Sequence, residues 1–331
     1  MTLDTNAQVA LAAFAIGAAF GGLARWSGFC LRGAVEDALT APNAPRLRGF
    51  LAAMVVGLVV TQALVLLGRL DLSKAIVLPG SLFWGGALLG GVMFGVGMVL
   101  TGGCGTRLLV LAAGGNLRSV VSFVVFAFVA YATIRGLLAP ARSLLSSVSS
   151  VALPRPGLPL MVGGAIVAAS LAFIAWRKVP PKHLIAGALI GLLVPLGYLT
   201  TGVLGADEFE PVPVESLNMT RAGGDALMYL LIWTGAKVNF GIAFTGGILF
   251  GAFAVAASRG EFHLVGFEKP ADMLRYAGGA ALMGAGGVLA LGCTIGNGLT
   301  GMASLAPTSI IALPAMVLAA AATLKWRWRN R

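Results

Sequence analysis

Acidic and imidazole side chains are scarce: the 331 residues hold 12 Asp and Glu and 2 His. Little is therefore available for carboxylate or histidine metal sites. Neither His183, after the basic stretch 176–182, nor His263, in a charged loop, stands near a cysteine. No metal site and no cofactor is expected. Cysteine is rare as well, three in all and without a C-x-x-C pair, which argues against a disulfide scaffold and against a thioredoxin-like redox motif. Charged residues make up only 11% of the chain against 58% hydrophobic, and the mean hydropathy is +0.92. These values exclude a water-soluble domain of this length. The surplus of 23 Lys and Arg does not point to nucleic acid, because most of these residues flank apolar runs, where a charge bias across a membrane explains them.

The runs are continuous and longer than the roughly ten alternating residues of a membrane strand, so an all-α integral membrane protein is expected. Nine spans are read at 8–24, 49–67, 82–100, 119–139, 159–176, 184–200, 238–257, 272–291 and 307–324. The first follows Asp4 and no basic residue, so it reads as a span rather than a cleavable signal. Four apolar pieces, beginning at Cys30, Cys104, Met219 and Cys293, are too short to cross and read as re-entrant half-helices. Arg46, Arg48, Arg177, Lys178, Lys182, Arg259, Lys269 and the tail Lys325, Arg327, Arg329 and Arg331 fall on one side of a nine-span arrangement, and the acidic residues Asp207, Glu208, Glu210 and Glu215 on the other. The basic side is taken as cytoplasmic, with the N-terminus outside and the C-terminus inside. Arg142 and Arg155 dissent, since their loop falls outside. The whole of 1–331 reads as one transporter domain: halves 8–139 and 184–324, upside down relative to each other, joined by the span 159–176. Trp26, Trp84, Trp176, Trp233, Trp326 and Trp328 lie near span ends, as an aromatic belt would.

The 47 glycines are dense inside the apolar runs, which suits close helix packing and broken helices. Sliding the chain by 189 residues lays Gly90, Gly95, Gly97, Leu100, Gly103 and Cys104 on Gly279, Gly284, Gly286, Leu289, Gly292 and Cys293. A third version is Gly28-Phe29-Cys30. Glycine lets the chain leave a helix inside the membrane and bring bare backbone near a solute, so Gly28, Gly103 and Gly292 are candidate hinges. A half-helix starting at each cysteine presents unpaired N–H groups and the positive end of its dipole, which favours an anion. A neutral thiol there is a weak donor with polarisable sulfur, suited to the terminal sulfur of a sulfur-containing anion. One such cysteine alone would read as a packed small hydrophobe; three at matched breaks read as a pathway through Cys30, Cys104 and Cys293. Arg107, three residues past Cys104, reads equally as an anion contact or as a side chain reaching the interface. Asn297 is a cap or a pathway residue, Asn116 a cap. Arg32 and Glu36 are spaced to pair. Lys237 and Asn239 open the seventh span.

The segments GFCLRGAVEDAL from Gly28, GGCGTRLLVLAAGGNLRS from Gly102, GEFHLVGFEKPADMLR from Gly260 and GGVLALGCTIGNGLTG from Gly286 resemble the YeeE/YedE family of sulfur-compound transporters, and the resemblance runs from about Gly17 to Ala322. It implies nine spans and four half-helices in an hourglass with a thin central barrier. It also implies import of thiosulfate through the bacterial inner membrane, relayed between Cys30, Cys104 and Cys293 by weak S–H contacts without a covalent intermediate, and consumption by a cytoplasmic sulfurtransferase or sulfur carrier. Family members tied to selenium compounds leave the cargo open. The competing class is a membrane thiol oxidoreductase or sulfurtransferase working through a persulfide.

Overall fold

The computed structural model describes residues 4–153, 157–176, 180–206, 212–235 and 237–330. Arg155, Arg177, Lys178, Asp207, Glu208, Glu210 and Arg331, which enter the charge reading above, lie outside the described residues. The helices in chain order are α1 (Thr5–Ser27), α2 (Leu31–Thr40), α3 (Pro45–Leu66), α4 (Trp84–Leu100), α5 (Gly105–Ala112), α6 (Leu117–Arg135), α7 (Ala139–Ser149), α8 (Leu160–Ala175), α9 (Pro181–Leu199), α10 (Met219–Leu231), α11 (Phe240–Ser258), α12 (Pro270–Leu289) and α13 (Pro307–Arg329). Proline stands in the first turn of α3, α7, α9, α12 and α13, where its missing N–H costs no helical hydrogen bond. Two strands, β1 (Ser81–Phe83) and β2 (Ser150–Ala152), form a short antiparallel ribbon beside the start of α4.

Among the described residues, seven helical stretches are long and apolar enough to cross a bilayer: Thr5–Thr40, Pro45–Leu66, Trp84–Ala112, Leu117–Arg135, Pro181–Leu204, Phe240–Ser258 and Pro307–Arg329. Two of the nine expected spans fall outside this set. Where 159–176 was expected, α8 has 16 residues, about 24 Å at the helical rise, which is short for a hydrocarbon core of about 30 Å. Where 272–291 was expected, α12 has 20 residues, but its first turns carry Asp272 and Arg275, paired at 3.0 Å. Sequence reading gave no element at α7, which folds back between the end of α6 and the ribbon.

Lipid tails are as apolar as leucine, so these helices gain little from the hydrophobic effect when they meet. Close packing at small residues holds them instead. α1 lies along α11: Gly17 and Gly21 face the Phe244 and Ile248 carbonyls, while Gly247 and Gly251 face those of Phe14 and Ala18. The pair α3 and α9 repeats the device, with Gly49 against the His183 carbonyl, Gly187 against that of Gly49 and Gly191 against that of Ala53. In the centre, Gly90 and Gly97 of α4 meet the Gly286 and Gly279 carbonyls of α12. A side chain at any of these positions would meet backbone. Exchanging α1 with α9, α3 with α11, α4 with α12 and α6 with α13 interchanges the packed pairs α1/α11 and α3/α9, interchanges α4/α13 and α6/α12, and leaves α4/α12 paired with itself.

One end of the molecule gathers positive charge. Arg25 pairs with Glu261 at 3.1 Å, Arg118 with Glu268 at 2.7 Å and Arg46 with Asp37 at 3.6 Å. At the same end Lys182 stands 5.6 Å from the Trp26 ring, and Arg327 donates to the Val99 carbonyl at the end of α4.

Candidate functional site: three broken helices meeting at buried thiols

Each cysteine stands at the N-terminus of a short helix. Cys30 is the N-cap of α2 and Cys104 the N-cap of α5, both with extended backbone. These helices have 10 and 8 residues, about half a membrane crossing or less. The chain leaves α1 through Gly28, whose φ of 71° is left-handed and whose N–H bonds the Ala24 carbonyl. In the second break the left-handed residue is Gly102, at φ 82°, and in the third it is Leu291, at φ 58°. Gly103 and Gly292 are not left-handed; their lack of a side chain makes room for Arg107 and Asn297, whose atoms a Cβ would meet at 2.8 and 3.1 Å. After Cys293 the chain runs through Thr294 and Ile295 into a π-helical turn, Gly296–Gly301. The Gly296 N–H points at Cys293 Sγ (3.4 Å), so this thiol also caps its helix.

The breaks converge. Cys30 and Cys104 line one small space together with Ile295, two residues past Cys293, and the Thr294 hydroxyl lies near Cys104. All three thiols are free, with exposures of 8% at Cys30, 2% at Cys104 and 0% at Cys293. Between Cys30, Cys104, Arg107 and Ile295 lies a space of about 10 Å³, the room of about one water. Arg32 joins two breaks: it reaches the Gly102 carbonyl at 3.4 Å and forms the expected pair with Glu36 at 3.6 Å.

Around the thiols stand buried donors with no acceptor. Arg32 Nε, Thr106 Oγ1, one terminal nitrogen of Arg107 and Thr294 Oγ1 have no aligned hydrogen-bond partner. Leaving a buried polar group unsatisfied costs about 1–3 kcal/mol, and native structures hold few of them. Here they cluster with three thiols at helix N-termini, an arrangement complementary to an anion.

Asn297 serves the break. Its Nδ2 donates to the Gly292 carbonyl at 2.7 Å and the Ala290 carbonyl at 3.1 Å, while its Oδ1 accepts from Ser309 at 3.0 Å. Asn116 caps α6 by accepting from the Ser119 N–H. Asn239 caps α11 and donates to Asp225, and Lys237 lines a surface cleft next to it. The glycine-flanked stretch Gly197 to Gly202 does not break: α9 runs on as a π-helical turn, Thr200–Leu204, and α10 begins at Met219. Asn218 caps α10 and donates to the Leu291 carbonyl at 3.3 Å, which ties this helix to the third break. Sequence reasoning missed Thr106 and Thr294. Their signal is weak, since a threonine near a helix start ordinarily reads as a cap or as a back-bonded hydroxyl.

Residues 26–322 match the family described as Sulphur transport. A thiosulfate transporter, TsuA, of Spirochaeta thermophila is 29% identical over 255 residues, covering 69% of this chain and 73% of its own. The thiosulfate transporter TsuA of Escherichia coli is 25% identical over 329 residues, covering 91% and 90%. With these matches and its apolar crossing helices, the chain is a multi-pass membrane protein belonging to the sulphur transport family, the YeeE/YedE family that its cysteine segments resemble.

Proposed function

We propose that the protein imports thiosulfate, or a closely related sulfur-containing anion, through the bacterial inner membrane, handing it between Cys293, Cys104 and Cys30. The observation that carries this reading is the convergence of three helix breaks, each with a free thiol at a helix N-terminus, on one small space lined by Cys30, Cys104 and Ile295, among donors that lack acceptors. The helix ends and the Arg107 guanidinium take the oxygens; the thiols offer weak S–H contacts to the terminal sulfur. Weakness is an advantage, because a strong site would hold its cargo and stop conduction.

In this reading the basic end is cytoplasmic, the N-terminus lies outside and the C-terminus inside. α2, α5, α10 and the helix after Cys293 are re-entrant half-helices among nine spans. The halves 8–139 and 184–324 form an inverted repeat within one domain, and the packing pairs that survive exchange of the halves support this. A cytoplasmic sulfurtransferase or sulfur carrier consumes the cargo.

The thiol pair Cys30 and Cys104 is also what a disulfide-exchange enzyme would need, and this separates the two classes experimentally. Proteoliposomes holding the purified protein are expected to accumulate sulfur-labelled thiosulfate unchanged, and Cys104→Ala and Cys293→Ala to lose at least about tenfold in initial rate, about 1.4 kcal/mol in barrier. Recovery of a chemically altered product would overturn the transport reading. Unimpaired uptake by both variants would overturn the relay.

A further inference from the structure

Arg142, which departs from the charge bias of the sequence, lines a cavity of about 250 Å³ at the end opposite the basic cluster. It shares this cavity with Arg135, the last residue of α6, and Arg221, in the first turn of α10. The floor is the third break: Leu291 lines the cavity, its carbonyl held by Asn218, and Cys293 follows two residues on. Neither Arg135 nor Arg142 has a carboxylate partner among the described residues, and Arg221 stands 3.9 Å from Glu215 and 3.8 Å from Asp225. Asp225 also lines the cavity, and Asn239 donates to it at 3.0 Å.

Two buried donors here have nothing to bond. Arg142 Nε has no partner, and its Nη2 reaches only the Ile134 carbonyl at 3.4 Å. Thr220, 3% exposed in the first turn of α10, has a free Oγ1 in the space left by Gly287, where a Cβ would come within 2.6 Å of it. A guanidinium carries five N–H donors in a planar fork, accepts nothing and matches oxyanions. Several of them in a narrow mouth raise the local concentration of counter-ions.

We propose that this cavity is an oxyanion-recognition site, separate from the thiols. It selects small tetrahedral dianions by charge and oxygen contacts, before the cysteine beneath its floor selects for terminal sulfur. The proposal rests on the import reading, in which this end faces outward. Inorganic sulfate has the oxygens and the charge but no terminal sulfur, so it occupies the cavity and goes no further.

Initial rates of labelled thiosulfate uptake by the full chain in proteoliposomes test this. Arg142→Gln is expected to raise the half-saturating concentration about tenfold, with the saturating rate within about twofold of wild type and a shallower dependence on ionic strength. Arg142→Lys is expected to retain part of the affinity, Thr220→Val to lose several-fold, and Arg259→Gln, at the basic end, to match wild type. External sulfate competes with thiosulfate in the wild type without accumulating inside. Wild-type affinity and salt dependence in Arg142→Gln overturn the proposal. So does a lack of competition by sulfate, which needs no variant to fold. If the wild type moves no thiosulfate, the import reading falls by itself; calorimetric sulfate binding that Arg142→Gln abolishes would then still support the cavity, and its absence in the wild type would end it.

Discussion

At Gly28 and Gly251 the same missing side chain does two different jobs. Gly28 supplies a left-handed turn in open space, with no atom within 4 Å of a built Cβ, so Gly28→Ala should cost only backbone strain of roughly 1–2 kcal/mol. Gly251 is helical and faces the Ala18 carbonyl, so a methyl group there must push two helices apart; overpacking of this kind costs about 1–3 kcal/mol and more where only backbone can give. Thermal unfolding in detergent should therefore rank Gly251→Ala below Gly28→Ala, and the reverse order would refute the distinction. Asn297 makes a third case. Asn297→Leu leaves the Ala290 and Gly292 carbonyls unpaired, at about 1–3 kcal/mol each, and should lower both the midpoint and uptake although every thiol remains. Unchanged uptake would show that the third break holds without it. The cysteines were legible because glycine precedes each; Thr106 and Thr294 were not, because nothing local to a threonine shows that its hydroxyl will end beside a thiol from another segment.

Among the elements, the breaks were readable and their exact pivots were not. A glycine run ending in cysteine marks where helix stops, but several adjacent residues can take the left-handed turn, and packing chose Gly102 and Leu291 over Gly103 and Gly292. The small elements outside the long runs, α7 and the ribbon β1/β2, escaped notice because strands of three residues carry no readable alternation. α7 nevertheless places Arg142 in the cavity it shares with Arg135 and Arg221. The short helices α2 and α5 begin at the N-caps Cys30 and Cys104, which line one small space between the first and second breaks. Disulfide formation is the matching test: dissolved oxygen, small enough to reach the pair, should as two-electron oxidant join Cys30 to Cys104 in the purified protein and protect both from labelling after unfolding. Independent labelling of both would place the helix ends apart.

For the whole molecule, the unequal ends set the energetics. If a dianion crosses unaccompanied toward the basic end, an inside-negative potential of 100 mV opposes it by about 4.6 kcal/mol, at about 2.3 kcal/mol per charge. Uptake into sodium-loaded proteoliposomes should then quicken when valinomycin and external potassium make the interior positive. A rate indifferent to potential would mean that compensating charge moves with the anion. The sequence by itself determined that the chain lives in a membrane, that its crossing elements are helices, that three of them break at glycine and cysteine, and that a related pattern recurs 189 residues later. Those properties follow from local hydropathy and backbone freedom, which neighbours in the chain suffice to settle. Only the tertiary structure decided that the three breaks converge on one nearly closed space, that Asn297 bonds the carbonyls of the third break, and that Arg135, Arg142 and Arg221 share a cavity with Leu291 of that break. These are contacts between residues tens to hundreds of positions apart, set by how glycine-lined helices pack.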